Sequence, residues 1–149
     1  MPLTGEALTL YTHLRTQVVP SHRVATYGDV SQATRIPIGV EGGHIGQILG
    51  LVAAACDERR LPPITSVVVR ADELYDRIGR HGMPGAGYFV QEATSPNLAG
   101  RQGHNLFLPW GQQPPPANFD KDADRWQLRA IIDAHQDSVW HWQAWPAQI

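Results

Sequence analysis

Cysteine and lysine are almost absent from this chain. Cys56 is the only cysteine in 149 residues, which rules out an intramolecular disulfide and any cysteine-built zinc cluster. Lys121 is the only lysine, so arginine supplies 11 of the 12 positive charges, and the formal net charge is −2. A strong non-specific nucleic-acid binder carries a basic excess, because its affinity comes from neutralising phosphates. Any basic patch here must therefore be local and built from arginine. Long hydrophobic runs are also missing. The longest, Leu49 to Cys56, is far shorter than the roughly 20 residues that span a bilayer. Met1 to Thr16 lacks a basic start followed by an apolar run, so no signal peptide is expected. The expectation is a cytoplasmic protein with no membrane association.

What is present points to a globular chain with a full core. Hydrophobic residues make up 42% and charged residues 17%, which fits neither a disordered nor a fibrous protein. Residues 1–149 read as one domain with a core over 3–92, a loop-rich segment over 93–119 and a C-terminal helix over 120–143. Proline leans to the second half, with seven of its twelve residues after position 75, while glycine divides evenly.

Leu3, Ala7, Leu10 and Leu14 recur at helical spacing over residues 3–17, and Val18-Val19-Pro20 predicts the stop. "HRVAT", 22–26, reads as a short extended entry. Thr26 is an N-cap candidate, with Asp29 three residues on at the positive end of a second helix. That helix, "YGDVSQATR", turns Val30 and Ala33 inward, and "IPIG", 36–39, is the turn after it. A third helix runs from about 42 to 60, with Ile45, Ile48, Leu49, Val52 and Cys56 as its apolar stripe. Burial of that stripe predicts that Ile48→Ala costs roughly 2–5 kcal/mol. Gly43, Gly46 and Gly50 lie among these residues, implying close approach of another backbone or of a ligand.

"ITSVVVR", 64–70, reads as a β-strand by its branched residues, and residues 87–92 as a second. Two strands after a helix-turn-helix make a wing. The C-terminal helix carries Leu128, Ile132, His135, Val139 and Trp142 on one stripe, widened by Trp126 and Trp140. A face that broad packs against the body, a second copy or a protein partner.

In order, the pieces resemble the C-terminal winged-helix domain of the alkylguanine-DNA alkyltransferases and the alkyltransferase-like proteins. The motifs are Pro20 and Val24, "TYGDV" at 26–30, "RIP" at 35–37, "GHIGQIL" at 43–49, "PPITSVVV" at 62–69 and "GMPGAGY" at 82–88. They span about a third of the chain, with gaps. The resemblance implies an α/β fold of the winged helix-turn-helix type, with a small β wing and a C-terminal helix, and duplex DNA as partner. It also sets the departures. The family's acceptor cysteine, activating histidine and arginine fall on Ile64, Thr65 and Ser66. A nucleophilic thiolate needs a cysteine and a nearby base, so alkyl transfer to this chain is excluded. The arginine that replaces a flipped nucleotide falls on Gly42 or Gly43, which cannot wedge a duplex.

The expected function is accordingly a non-catalytic DNA-binding or DNA-associated module, with no cofactor and no metal. Its candidate contacts are Arg23, Tyr27, Arg35, His44, Arg77 and Arg80. The arginines serve phosphates, Tyr27 lies near a phosphate in the resembling families, and His44 can reach a phosphate or a base edge. For each there is a plainer reading: solvated charge for the arginines, a helix-start aromatic for Tyr27, a surface histidine for His44. Two other functions are open at this point. One is a protein-interaction module on the same body, favoured by the neutral charge and the five tryptophans. The other is a small enzyme with its site in the His- and Gly-bearing loop 79–104. The histidines lie on separate elements, so any site they form depends on tertiary contact.

Overall fold

The computed structural model describes residues 2–70, 84 and 122–149, with side chains from 132 onward in the last segment. These residues form a helix-rich body with a small two-stranded parallel sheet. Among them, no helix is long and apolar enough to cross a membrane.

The first helix does not stop at Pro20. α1 (Gly5–His13) runs into a π-helical turn (Leu14–Val18) and then into α2 (Val19–Ser21). Proline in a regular helix removes one hydrogen bond and clashes with the carbonyl four residues back, here that of Thr16. Thr16 lies inside the widened π turn, which relieves that clash. Val19 therefore keeps helical backbone angles although it precedes a proline. The stop comes at His22, in the left-handed region with φ 55°. Ala7, Leu10, Tyr11, Leu14 and Val18 bury one face of this long element in the core.

β1 (Ala25–Thr26) follows and leads straight into α3 (Tyr27–Thr34). Thr26 caps α3 as the sequence suggests. The Asp29 N–H donates to Thr26 Oγ1 at 3.1 Å, and the Thr26 N–H donates to Asp29 Oδ2 at 3.1 Å. This reciprocal capping box satisfies two donors that the helix start would otherwise leave unpaired. Val30 is buried, but Ala33 is exposed; Ile36, just past the helix, fills the inward position instead. Arg35 ends α3 at φ 63°, and its N–H donates to Ser31 O at 2.8 Å.

Residues 35–42 connect α3 to α4 (Gly43–Glu58), a longer link than the three or four residues of a compact helix-turn-helix turn. The Ile38 carbonyl accepts from His44 N at 3.1 Å and Ile45 N at 3.2 Å, pairing two of the orphan donors of α4. Gly39 has φ 80°, and a Cβ there would lie 2.7 Å from His44 Cβ, so this turn requires glycine. Ile45, Leu49, Val52 and Cys56 face the core, whereas Ile48 is only half-buried. The full cavity cost expected for Ile48→Ala belongs to Ile45. Gly43 and Gly46 have nothing within 4 Å of a built Cβ, so they do not serve close approach of another part of the described chain. α4 ends in a Schellman motif: Arg60 N–H donates to Asp57 O at 3.0 Å and Leu61 N–H to Cys56 O at 2.9 Å, with Arg60 at φ 55°.

The stretch 64–70 is not one strand. Ile64–Val67 forms a 3-10 turn after Pro62-Pro63, with the Ser66 N–H donating to Pro63 O at 2.9 Å. Only β2 (Val68–Val69) is extended, and it pairs in parallel with β1, Ala25 opposite Val68 and Thr26 opposite Val69. The strand expected over 87–92, and with it the wing, lies outside the described residues. The last helix, α5, covers Asp122–His141, close to the expected 120–143. Ile132, His135, Val139 and Trp140 are buried, but Trp142 lies past the helix end and is 41% exposed. Trp126 and Leu128 fall outside the described side chains. The tail returns to the start of the chain, where Leu3 N–H donates to Ile149 O at 2.5 Å and Ile149 is fully buried.

His13, at the end of α1, is partly buried, and that burial pushes its imidazole below its usual pKa of 6.5. The neutral ring is the form the fold prefers. Its contribution to stability is whole above pH 6.5 and is lost as pH falls from there through the lowered folded value. Wild-type protein is expected to lose more stability than His13→Gln between pH 7 and pH 5 in urea melts. Equal losses in the two proteins would remove His13 from that account.

Candidate nucleic-acid interface

Of the six candidate contact residues, Arg77 and Arg80 lie outside the described residues. Arg23 and Arg35 bracket the β1–α3 unit, one before the strand and one after the helix, and both are exposed. Arg35 closes α3 in the left-handed region. Tyr27 is the first residue of α3, half-buried, and packed against the core, so its helix-start role is real.

His44 is paired with Glu6. Its Nε2 donates to Glu6 Oε1 at 3.0 Å and lies 3.3 Å from Oε2, tying the start of α4 to the start of α1. Both side chains are largely in water, 39% and 45% exposed, so this pair is worth little by itself. It matters because Glu6 puts a carboxylate beside the one imidazole that a DNA backbone would want.

The outward face of α4 carries Gly43, Gly46, Gln47, Leu51, Ala54 and Glu58, all exposed, with Glu58 in the last turn the one charged residue among them. Ahead of it, Val40 is 88% exposed beside Glu41. Among the described residues that adjoin α4 along the chain, cations stand only past its far end, at Arg59 and Arg60. Such a face admits close backbone approach but offers few phosphate partners.

Two groupings escape a reading of the linear chain. Gln136 on α5 is buried, and its Nε2 donates to Ser66 O at 2.9 Å, beside buried Thr65 and His135. Thr65 Oγ1 and Ser66 Oγ are buried without a hydrogen-bond partner among the described residues. Ile64, Thr65 and Ser66, the positions matched to the alkyl-acceptor segment, are thus sealed under α5. The second grouping joins His22, Trp140 and His141 from opposite ends of the chain. No short-range signal announces either one, since the partners are some 70 and 119 residues apart. Among the described residues, no group of three or more His, Cys, Asp or Glu side chains is placed to hold a metal ion.

A scan against protein-family models and searches of curated proteins and of solved structures gave no match to this chain.

Proposed function

We propose that this chain is a non-catalytic, DNA-associated module of the winged-helix type, resembling the alkyltransferase-like proteins without their nucleotide-flipping arginine. One observation carries the reading. The exposed Arg23 and Arg35 bracket the unit β1–α3, and α4, which follows it, presents a face whose Gly43 and Gly46 leave room for a partner to come close. Arg23, Arg35, Arg77 and Arg80 supply phosphate contacts in this reading. With no cysteine at Ile64, Thr65 or Ser66, the chain accepts no alkyl group.

The test is anisotropy of a labelled duplex over a range of salt. Four phosphate contacts give a log–log slope of about −3.6, at −0.9 per contact. Arg35→Asn keeps the left-handed backbone tolerable and removes one charge. It is expected to make the slope shallower by about 0.9 and to weaken all sequences alike, since phosphate contacts carry no sequence information. With a net charge of −2, affinity is expected near the micromolar non-specific range at physiological salt. A folded protein that binds no duplex even at low salt would sink this reading.

The second reading is a protein-interaction module, favoured by a specific feature. Val40 is 88% and Leu51 55% exposed, Ile38 is also exposed, and the acidic Glu6 and Glu41 lie at the same end of α4 as Val40. A partly apolar face whose charged neighbours Glu6, Glu41 and Glu58 are acidic suits a protein surface better than phosphates. The tryptophan-rich end of the chain adds less, because Trp140 is already buried against the body. An enzyme site in the loop 79–104 lies outside the described residues.

A further inference from the structure

The fold brings two histidines together from opposite ends of the chain. His22 closes α2, and His141 is the last residue of α5; their rings lie 6.4 Å apart at 63°. Both are exposed. His141 Nδ1 lies 2.8 Å from the Asp137 carbonyl. A backbone carbonyl only accepts, so Nδ1 must carry the proton, and the Nε2 of the neutral ring keeps its lone pair. This is the arrangement metal-ligating histidines use, in which the second ring nitrogen donates to a fixed acceptor and orients the ligand. His22 is oriented differently: it lies over Trp140, with ring centres 5.8 Å apart and planes 20° from parallel.

We propose that His22 and His141 form a two-histidine site for a borderline divalent transition ion, zinc in the first instance. Imidazole nitrogens suit zinc and copper, and neither ring is committed to an acidic partner by a hydrogen bond or ion pair among the described residues. With Zn–N bonds of about 2.0–2.1 Å, two rings on a tetrahedral ion have centres about 5 Å apart. The observed pair must close by about 1 Å, which exposed side chains at two helix ends achieve by small rotations. In the proposed site the two imidazoles hold the ion and water supplies further ligands; among the described residues no group of three or more His, Cys, Asp or Glu gathers there. The bound ion ties the end of the N-terminal helical element to the end of α5, two segments that the chain otherwise joins across this edge by packing. The proposal is independent of the DNA reading.

Isothermal titration of the full chain with zinc chloride alone, after stripping with chelator, tests it. One zinc per chain is expected. His22→Asn removes the imidazole while tolerating the left-handed backbone at φ 55°, and His141→Ala removes the other ligand. Each should abolish the binding or weaken it by at least about tenfold, the lower end of what losing even an outer-shell partner costs. His13→Ala should leave it unchanged. Circular dichroism of each variant confirms folding, and zinc should raise the melting temperature of wild type but of neither ligand variant. Absence of saturable binding, or undiminished affinity in either ligand variant, overturns the proposal.

Discussion

Tyr11→Ala is expected to destabilise the protein by roughly 3–5 kcal/mol, the range for deleting a large buried aromatic. Tyr11 is fully buried on the core face of α1, and its hydroxyl donates to Pro146 O at 2.5 Å. One side chain thus fills the core and holds the C-terminal tail, whose Ile149 is itself part of that core. Tyr11→Phe separates the two roles. It keeps the ring and loses only the hydrogen bond, so it should cost about 0.5–1.5 kcal/mol. Urea melts of the three proteins measure this, and equal losses in the two variants would place the whole effect on the hydroxyl. The phenol also predicts alkaline behaviour. Burial, reinforced by the neighbouring Cys56 and opposed by Arg15 and Arg59, pushes its pKa from 10 up to about 12. The unfolded chain gives up this proton first. Stability is therefore whole below about pH 10 and falls as pH rises toward about 12. Tyr11→Phe should flatten that part of the profile.

Ile45→Ala is expected to cost roughly 2–5 kcal/mol, and Ile48→Ala distinctly less. The two residues lie less than one turn apart on α4. Ile45 is fully buried among core residues, while Ile48 is half-exposed at the rim, where water fills the space that a truncation leaves. Denaturant midpoints that place Ile48→Ala at or above Ile45→Ala would mean that the helix is rotated about its axis relative to this packing.

Local signals were legible because they act over three or four residues. Thr26 and Asp29 announce a helix start, since a capping box needs only those two side chains and their own backbone. Ile45, Leu49, Val52 and Cys56 announce α4 by spacing alone. The same reasoning failed where a neighbour decided the outcome. Pro20 is an ordinary stop signal, yet a π turn absorbs it and the helix continues to Ser21. "ITSVVVR" has the residue types of a strand, but only Val68 and Val69 find a partner strand, in β1. Gly43 and Gly46 suggested close packing and instead face open space.

For the candidate interface, the linear chain determined which residues carry charge near the two-helix unit: Arg23 and Arg35, with few other cations near them. Only the tertiary structure decided that His44 pairs with Glu6, that Tyr27 lies on the core, and that Ile64, Thr65 and Ser66 lie sealed beneath α5. It also set His22 against Trp140 and His141, 119 positions along the chain. The physical reason is common to all of these. Capping and periodicity are written in residues that are neighbours along the chain, whereas an ion pair, a buried hydroxyl or a pair of metal ligands depends on which distant surfaces hydrophobic burial presses together.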